Sequence, residues 1–509
     1  MKVEPQFNTK QNRIINYRPL FEFAIGLMLG IAVCAELNAY GILCLAIICI
    51  IGIGAGLFIL KSYRSALFML ALLMSCNLVK MHTPACLEPG NYLVSGTVES
   101  VDKPNSYGKR ELIIINVSIS RREYSGKICI QTSSKLEVEI GDVINAYVSV
   151  NAKVLEKDEE DSFDEHKYYL SRRIGAICIA KDFTITESGK LPLQRIRGAI
   201  RESFENKANE MFGSDSDTVI TLLMGSTEAM PDKRKELYRE TGISHILAIS
   251  GFHMSIIVSI IGKMLPKHKR WLRISIIGIV MLIYCVLCVH SPGIIRSAVM
   301  TFAMLVSSAL ERREDGLSAI SIAAIGILLV NPYQLYSISF QLSFAACFGI
   351  ITLGASINRG IKRIGKLPKF GLSTSFSAST ATIMLQMRYF GTISTYTLLA
   401  NLIAVPLFSL ILPLMLFVQI IGYAFPALAS IMAYIPRSLL FINDKFISAV
   451  ANMPYSVLGF RAPSAYACIA FMIGLFISSE YILRPVHKRI EYLFVLILLF
   501  TICALAGIM

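Results

Sequence analysis

Two histidines, His245 and His253, stand inside an apolar stretch that runs from Thr241 to Ile257 and also carries Ser250 and Gly251. Inside a bilayer an ionisable side chain costs about 2 to 3 kcal/mol on insertion scales, so it faces protein or water rather than lipid. We therefore predict that this stretch lines a pathway through a membrane.

The same residues allow two other chemistries. Two histidines eight positions apart lie about 80° apart around an ideal helix, close enough to share a zinc ion. No third ligand at a matching spacing accompanies them, so we predict no metal site. Ser250 and His253 are three positions apart, within the reach that an intramembrane hydrolase needs, but no orienting group or oxyanion site is evident beside them. Pathway lining or helix packing is preferred.

A cationic site is predicted downstream, in the segment HSPGIIRSAVM. Pro292 and Gly293 open an apolar helix there, and Arg296 lies near its start. The positive end of the helix dipole and a guanidinium group then point at one place, which suits a phosphate group. The alternative is that Arg296 extends to the outer interface of the membrane, as long basic side chains do near helix ends.

Further polar side chains interrupt the apolar runs that follow: Gln341, Ser343, Gln386, Arg388 and Asn401. Amides and hydroxyls often join membrane helices to one another, so packing is the alternative to pathway lining. Asn401 shares the run Thr395–Leu414 with Pro406 and Pro413, which predicts a broken helix. Such breaks are tolerated at membrane depth where they are buried or line a wet cavity.

Composition places these residues in a membrane protein. The chain of 509 residues is 54% hydrophobic, and its apolar runs are often about 20 residues long, enough to cross a bilayer as a helix. A soluble core does not account for such runs. The formal net charge of +14 is compatible with nucleic-acid binding, but basic cytoplasmic loops that orient membrane helices explain most of it.

The positions of basic residues in the loops predict the membrane topology. Leu20–Leu37, Tyr40–Leu60 and Ser65–Val79 are predicted as membrane helices, with the basic sequence Lys61–Arg64 as a cytoplasmic loop. A cytoplasmic N-terminus follows, and the chain after Met81 is expected outside. Basic residues precede the first run, as in a signal peptide, but the second run begins so soon that we expect the first to be kept as a helix.

An outer domain rich in β-strands is predicted next. Short β-branched runs alternate with turn signals, and a helix is expected at 162–172 before the last strand. Five strands with a helix between the last two indicate an OB-like barrel. The predicted strands are Tyr92–Val101, Glu111–Ser120, Gly126–Gln131, Asp142–Asn151 and Ala176–Phe183.

The predicted fold is therefore a polytopic α-helical membrane protein with an extracytoplasmic β-rich, OB-like domain inserted after the first three membrane helices. Leu191–Phe212 has one apolar helical face but too much charge to span, so it is expected to lie on the outer membrane surface. The predicted domains are N-terminal membrane helices 1–81, the outer domain 82–190, this interfacial helix 191–213 and a second membrane domain 214–509.

An OB barrel commonly binds single-stranded nucleic acid through a basic groove and stacking aromatic rings. Arg110, Arg121 and Arg122 are the candidate contacts here. The segment 91–190 holds fourteen Lys and Arg against sixteen Asp and Glu, so a solvated edge is the alternative.

Cysteines supply one further expectation. Most of the twelve stand in apolar runs, and none has the spacing of a zinc site. Cys129 and Cys178 both fall in predicted strands of the outer domain, where an oxidising compartment permits a disulfide. Two buried thiols, or pairing with Cys86, are the alternatives.

Several of these segments, in this order, resemble the competence domain of the ComEC family of DNA-uptake channels, and FDEHKYYLSRRIGA resembles the end of the outer domain in that family. The resemblance covers about residues 92–451. It rests on TGISHILAISGFHMSI, SPGIIRSAVM, NPYQLYSISFQLSFAA and LLANLIAVPLF.

The resemblance implies a pore in the cytoplasmic membrane that passes one strand of incoming DNA during natural transformation. It also implies which side chains line the path, because they match the family's motif positions. They are His245, Ser250, Gly251, His253, Arg296, Gln341, Ser343 and Asn401. To these the polar interruptions add Gln386 and Arg388, with Arg388 as a second phosphate contact.

We expect no enzymatic activity and no cofactor in this chain. Many family members continue into a metallo-β-lactamase-like domain, but the seven histidines here are dispersed, with no HxHxDH cluster, and there is no GxxxxGK[ST] loop.

The expected partners are single-stranded DNA, membrane lipid, an outer DNA receptor, a separate nuclease, and a cytoplasmic helicase or single-strand-binding protein. A small-molecule or lipid transporter that uses broken helices is the alternative function, and an intramembrane hydrolase is a weaker one.

Overall fold

The structure is a computed structural model and is mostly helical. It divides into a large unit, Leu20–Ser343 with Ser394–Val457, and a small unit, Met1–Pro19 with Phe344–Ile393 and Leu458–Met509. The residues described are 18–37, 39–55, 63–84, 87–101, 109–119, 122–133, 138, 140–150, 165–187, 192–225, 230–247, 251–266, 269–288, 292–311, 315–364, 371–479 and 481.

Three apolar helices come first, close to their predicted positions: α1 (Pro19–Cys34), α2 (Ala39–Gly54) and α3 (Tyr63–His82). The glycines of α1 let it approach α3 closely. A Cβ atom added to Gly30 would lie 2.7 Å from the Cβ of Ser75, and the hydroxyl of Ser75 donates to the carbonyl of Leu27 at 3.0 Å. Small residues at helix contacts are typical of membrane proteins.

All five predicted strands are present and close into a barrel. The strands are β1 (Gly90–Val101), β2 (Lys109–Ile119), β3 (Arg122–Glu123), β4 (Lys127–Ser133), β5 (Val143–Val150) and β6 (Ile174–Glu187). Neighbours follow the order β1-β5-β6-β4-β2-β3, and β1 also pairs with β2, which closes the five long strands. Strands β4 and β6 are parallel. Helix α4 (Glu165–Ser171) precedes β6, at the position that the sequence predicted.

The structure contains no disulfide between Cys129 and Cys178, and it favours the alternative of two buried cysteine side chains. In the pairing of β4 with β6, Cys129 is opposite Ile177 and Cys178 is opposite Ile130. Side chains alternate between the two faces of a strand, so the two sulfur atoms belong to opposite faces. Accordingly, they pack in different apolar clusters.

The chain then enters the helical part of the large unit through α5 (Pro192–Phe212), α6 (Ser216–Met224), α7 (Asp232–Glu240) and α8 (Gly251–Met264). Ala208, Met211 and Phe212 on α5 are buried, whereas Ile196 and Ile200 on the predicted apolar face are exposed. The location of α5 on a membrane surface stays a prediction.

The apolar content of this region predicts one membrane helix from Ile243 to Leu265, whereas α8 begins at Gly251. Gly242 has a left-handed φ of 73°, which ends the helical run of α7, and a short 3-10 helix, Ser244–Ile246, follows. The prediction was wrong because apolar content alone does not distinguish a membrane helix from a buried turn. His245 and His253 therefore do not share one helix.

Helices α9 (Arg270–Leu287), α10 (Pro292–Ala309) and α11 (Gly316–Val330) precede a 3-10 helix, Pro332–Tyr336, and then α12 (Ile338–Ile364). The small unit contains most of α12, together with α13 (Leu372–Phe390) and α16 (Ala465–Ile477). The short strands β7 (Thr392–Ser394) and β8 (Val457–Gly459) each contain residues of both units.

The broken helix predicted around Asn401 is instead continuous: α14 (Thr397–Ala424) contains Pro406 and Pro413 in its interior. A proline removes one backbone hydrogen bond, but α14 buries a continuous face from Ala400 to Val418 in the core, which outweighs that loss. A second long helix, α15 (Pro426–Ala451), follows and was not predicted.

Helices α3, α9, α12 and α14 are long and apolar enough to cross a membrane. Together with the β-domain they describe a mostly helical membrane protein that carries a small barrel. The core of the helical part joins α5, α6, α14 and α15 to the turn that contains Ile243, Ile246 and Leu247.

Candidate functional site

Arg296 is buried near the start of α10, with 6% of its surface exposed. Its Nε donates to Oγ of Ser343 on α12 at 2.8 Å, and its Nη2 donates to Oγ of Ser297 at 3.2 Å. Nη1 contacts the sulfur of Met300 at 3.6 Å. The guanidinium group is therefore held between two helices and does not extend to the surface, so the alternative that it reaches the outer interface is not supported.

Helix α8 meets the same place through Gly251, its first residue. A Cβ atom at Gly251 would lie 3.2 Å from Oγ of Ser297, which itself donates to the carbonyl of Gly293 at 2.7 Å. Glycine allows this close approach of α8 to α10. Gly251, Arg296, Ser297 and Ser343 are hereafter called the Arg296 cluster, and Ser250 lies outside the described residues.

The two histidines differ in environment. His253 is buried on α8 with 3% of its surface exposed, whereas His245 is exposed in the 3-10 helix before α8. Among the residues that the structure describes, no group of three or more His, Cys, Asp or Glu is placed to hold a metal ion. The weaker alternative, a hydrolase that pairs His253 with Ser250, is not tested, because Ser250 lies outside the described residues.

The remaining amides make local contacts. The side chain of Gln341 donates from Nε2 to the carbonyl of Leu335 at 2.9 Å, which ties the start of α12 to the 3-10 helix before it. Asn401 is buried in the second turn of α14, with 6% exposed. The structure thus brings Gly251, Arg296 and Ser343 together, with Gln341 two residues before Ser343 on α12.

Two predicted residues belong to the small unit. Gln386 donates from Nε2 to Oγ1 of Thr382, one turn earlier on α13, at 3.1 Å. Nη1 of Arg388 donates to the carbonyl of Pro463 at 2.8 Å. Both side chains make structural contacts inside that unit, and a role in a pathway stays a prediction for them.

The candidate basic residues that the structure describes on the barrel do not form one patch, which favours the alternative of a solvated edge. Arg110 pairs with Thr132 near the beginning of β2, while Arg122 is exposed on β3, opposite Ile119 at the end of β2. Nine residues of strand separate positions 110 and 119, which corresponds to roughly 30 Å. Arg110 and Arg122 therefore do not form one patch, and Arg121 lies outside the described residues.

One contact that the sequence did not predict joins the barrel to the helical part. The side chains of Asn331 and Gln334 both donate to the carbonyl of Ser171, at the end of α4, at 2.7 and 2.9 Å. The hydroxyls of Tyr333 and Thr83 are 2.6 Å apart. The barrel is thus attached to the 3-10 helix that leads into α12, only a few residues before Gln341 and Ser343.

A second unpredicted group is a polar network between α7 and α15. Nε of Arg234 donates to Oδ2 of Asp444 at 3.0 Å, and Nη1 donates to Oγ1 of Thr218 at 2.6 Å. The network also includes Asp215, which lies 3.5 Å from Arg234 and 3.3 Å from Arg437. Sequence gave little signal for it, because the ion-pair partners are 210 residues apart.

Tyr238 extends this network. Its hydroxyl donates to Oδ1 of Asp444 at 3.2 Å and accepts from Nδ2 of Asn443 at 3.3 Å. Burial, and then the charge of Asp444, raise the pKa of Tyr238 well above its ordinary value. Burial alone would lower the pKa of Arg234, but its hydrogen bond to Asp444 outweighs this and raises it. The tyrosine therefore stays a neutral donor and the arginine stays charged.

The chain is similar to known proteins, and the family match falls in the helical part. The profile of the competence protein family matches residues 222–485, just over half of the chain. ComE operon protein 3 of Bacillus subtilis (strain 168) is 29% identical over 215 residues, 42% of this chain and 27% of that protein. An uncharacterized protein of Aquifex aeolicus is 28% identical over 166 residues, 32% of this chain and 39% of that protein.

The uncharacterized protein YcaI of Escherichia coli (strain K12) is 25% identical over 245 residues, 45% of this chain and 31% of that protein. The chain thus spans between 27% and 39% of the length of these relatives. No solved structure matches the chain. The matched residues include the Arg296 cluster and the whole of α14, and the chain belongs to the competence protein family, the family of ComEC.

Proposed function

We propose that this protein forms a passage for single-stranded DNA across the cytoplasmic membrane during natural transformation. Membership of the competence protein family supports a role in DNA uptake. The observation that carries the proposal is the buried guanidinium group of Arg296, held by Ser343 where α10 and α12 begin and α8 approaches. A cation at this depth can meet phosphates one at a time without the tight binding that would stop transport.

In this proposal the wall of the passage is formed by residues of α8, α10, α12 and α14, among them the Arg296 cluster, His253, Gln341 and Asn401. In this proposal the N-terminus is cytoplasmic and the barrel is outside. The strand order with its parallel β4–β6 pair supports an OB-like assignment for the barrel. An outer receptor delivers the DNA, a separate nuclease removes the other strand, and a cytoplasmic helicase or single-strand-binding protein collects the product.

The continuity of α14 bears on the alternative function. A secondary transporter was considered because broken helices often bind small substrates at mid-membrane depth. Since Pro406 and Pro413 lie inside one helix, that observation no longer favours a small-molecule or lipid transporter. We also propose that the chain does not itself hydrolyse DNA, because its histidines are dispersed along the sequence.

Deletion of the gene tests the proposal. Cells are scored for surface-bound labelled DNA, internalised label protected from added nuclease, transformation frequency and growth. A passage predicts normal surface binding and growth with loss of internalised label and of transformants. Unchanged transformation would contradict the proposal, and a growth defect with normal uptake would favour a transporter.

A further inference from the structure

Helix α7 packs against the helical part of the protein although most of its residues are charged. Its sequence, DKRKELYRE, is almost entirely charged, and Tyr238 is its one buried residue. Tyr238 belongs to the apolar core of the helical part and Leu237 packs against it, so burial of apolar surface holds one edge of α7. A charged helix of nine residues is too short to be stable alone. Specific polar contacts are therefore needed to orient the rest of this helix.

Those contacts converge on Asp444 of α15. Arg234 and Tyr238, one turn apart on α7, each donate to one carboxylate oxygen of Asp444, at 3.0 and 3.2 Å. The charged side chains are only partly accessible, with 22% of Arg234 and 20% of Asp444 exposed. Charge-assisted hydrogen bonds in such surroundings are stronger and more directional than exposed ion pairs. The other charged pairs within α7, such as Arg239 with Glu236, are local and exposed.

The position of α7 determines the segment that follows it. Thr241 and Gly242 come directly after the helix, and the hydroxyl of Thr241 donates back to the carbonyl of Leu237 at 2.9 Å. Gly242 lies so close to the start of α14 that a Cβ atom would be 3.0 Å from the Cβ of Thr397. His245 follows three residues later. A shift of α7 would move this tightly packed turn.

We propose that Arg234 and Asp444 act as positioning residues that fix the turn 241–247, and with it His245, at the start of α14. The network is electrically balanced, since Arg234 and Arg437 face Asp215 and Asp444. It therefore holds a charged helix against a mostly apolar core without leaving net charge there. This assignment does not depend on the proposed function.

Chemical modification of histidine tests it. The full-length protein, in membranes, is treated with diethyl pyrocarbonate, and the modification rates of His245 and His253 are measured by mass spectrometry. His245 is accessible, but its ring is hydrogen-bonded to the backbone of Gly242 within the turn, so its reactivity rises when the turn loosens; His253 is buried on α8 and reports on the fold as a whole. The variants are Asp444→Asn, which keeps the shape but removes the charge, and Asp444→Glu, which keeps the charge.

Asp444→Asn is expected to raise the rate at His245 by about tenfold, the factor that corresponds to one charge-assisted hydrogen bond, and to leave His253 unchanged. Asp444→Glu is expected to stay near the wild-type rate. Arg239→Gln is the matched control, because it removes an arginine from the same helix whose partner is local. Tyr238→Phe, which removes one hydroxyl, is used if Asp444→Asn does not accumulate, and an intermediate rise is expected.

An unchanged rate at His245 in Asp444→Asn, or in Tyr238→Phe where that variant replaces it, would overturn the assignment. Equal rises at His245 and His253 would overturn it as well, since the pair would then stabilise the whole fold rather than the turn. DNA uptake is not part of this readout, so its outcome does not decide the proposed function.

Discussion

The Nε atom of Arg296 on α10 donates a 2.8 Å hydrogen bond to the hydroxyl of Ser343 on α12. The two residues are 47 positions apart, and each lies within the first two turns of its helix. This contact aligns the guanidinium group between the helices rather than along one of them. It gives the proposed passage a cation in a fixed position. A substitution of either Arg296 or Ser343 alters the contact.

Substitutions of Arg296 distinguish the effect of its positive charge on DNA uptake from the effect of its planar hydrogen-bonding geometry. Arg296→Ala should reduce internalised DNA by about tenfold or more, as loss of a buried charged contact is worth about 1.5–3 kcal/mol. Arg296→Lys keeps the charge but not the planar donor, so an intermediate loss is expected. Ser343→Ala should resemble Arg296→Lys. Uptake is measured as nuclease-protected label, normalised to protein in the membrane.

Arg270→Ala is the control for these variants, because Arg270 is an exposed arginine of the same unit, paired with Glu311. Uptake should be unchanged in it. Equal uptake by Arg296→Ala and the wild type would contradict a role for Arg296.

Gly242 and Gly213 provide a matched pair for backbone geometry. Both have left-handed φ values, 73° and 53°, but a Cβ at Gly242 would overlap Thr397, whereas nothing lies within 4 Å at Gly213. Gly213→Ala should cost about 1–2 kcal/mol from backbone strain alone. Gly242→Ala should cost about 1–3 kcal/mol more, because the side chain of Thr397 at the start of α14 must be displaced. The unfolding midpoints of the purified variants check this, and equal midpoints would show that the turn is looser than described.

The attachment of the barrel rests on Asn331. Its side chain donates to the carbonyl of Ser171 at 2.7 Å and accepts from the backbone N–H of Tyr333 at 3.2 Å. Because the site is buried, Asn331→Ala should destabilise the protein by about 1–3 kcal/mol. Asn77→Ala is the control, since Asn77 is exposed and bonds only within α3. The thermal unfolding midpoints of both variants are measured. Similar midpoints for the two would show that the contact of Asn331 with Ser171 does not stabilise the protein.

Much of the local structure could be predicted from sequence. The five strands alternate in hydrophobicity, and the polar residues at membrane depth led to Arg296, Ser343 and Gly251. What failed were predictions that depend on distant partners. The apolar turn after Gly242 was taken for helix, and the prolines of α14 were taken for a break, because in both places packing against remote helices decides the conformation.

Helix α15 illustrates the same limit. Ala429, Ala433, Leu440 and Ile447 bury one face of it, and Asp444 finds its partner more than 200 residues away. A run that mixes charge with apolar residues gives no clear signal by itself.

The state of the barrel cysteines can be measured directly. Burial raises the pKa of Cys178 to about 12, so at pH 8.5 its thiol should stay protonated and resist alkylation in the folded chain. After unfolding without reductant, Cys129 and Cys178 should both be alkylated. A peptide pair linked through these two residues would show that the disulfide forms after all.

The raised pKa of Cys178 also determines how the stability of the folded protein changes with pH. Because the folded pKa of Cys178 lies above the unfolded value, its contribution to stability is complete below about pH 8.5 and is lost as the pH rises towards 12.

The most direct test of the passage is a cross-link from its wall to DNA in transit. A photoreactive amino acid is placed at Gln341, two residues before Ser343 on α12, or at Leu282, which is exposed on the candidate membrane span α9. Cells taking up labelled DNA are then irradiated. Our account predicts a cross-link to single-stranded DNA from position 341 and none from position 282. Uptake that continues without a cross-link at 341, or with equal cross-linking at both positions, would contradict it.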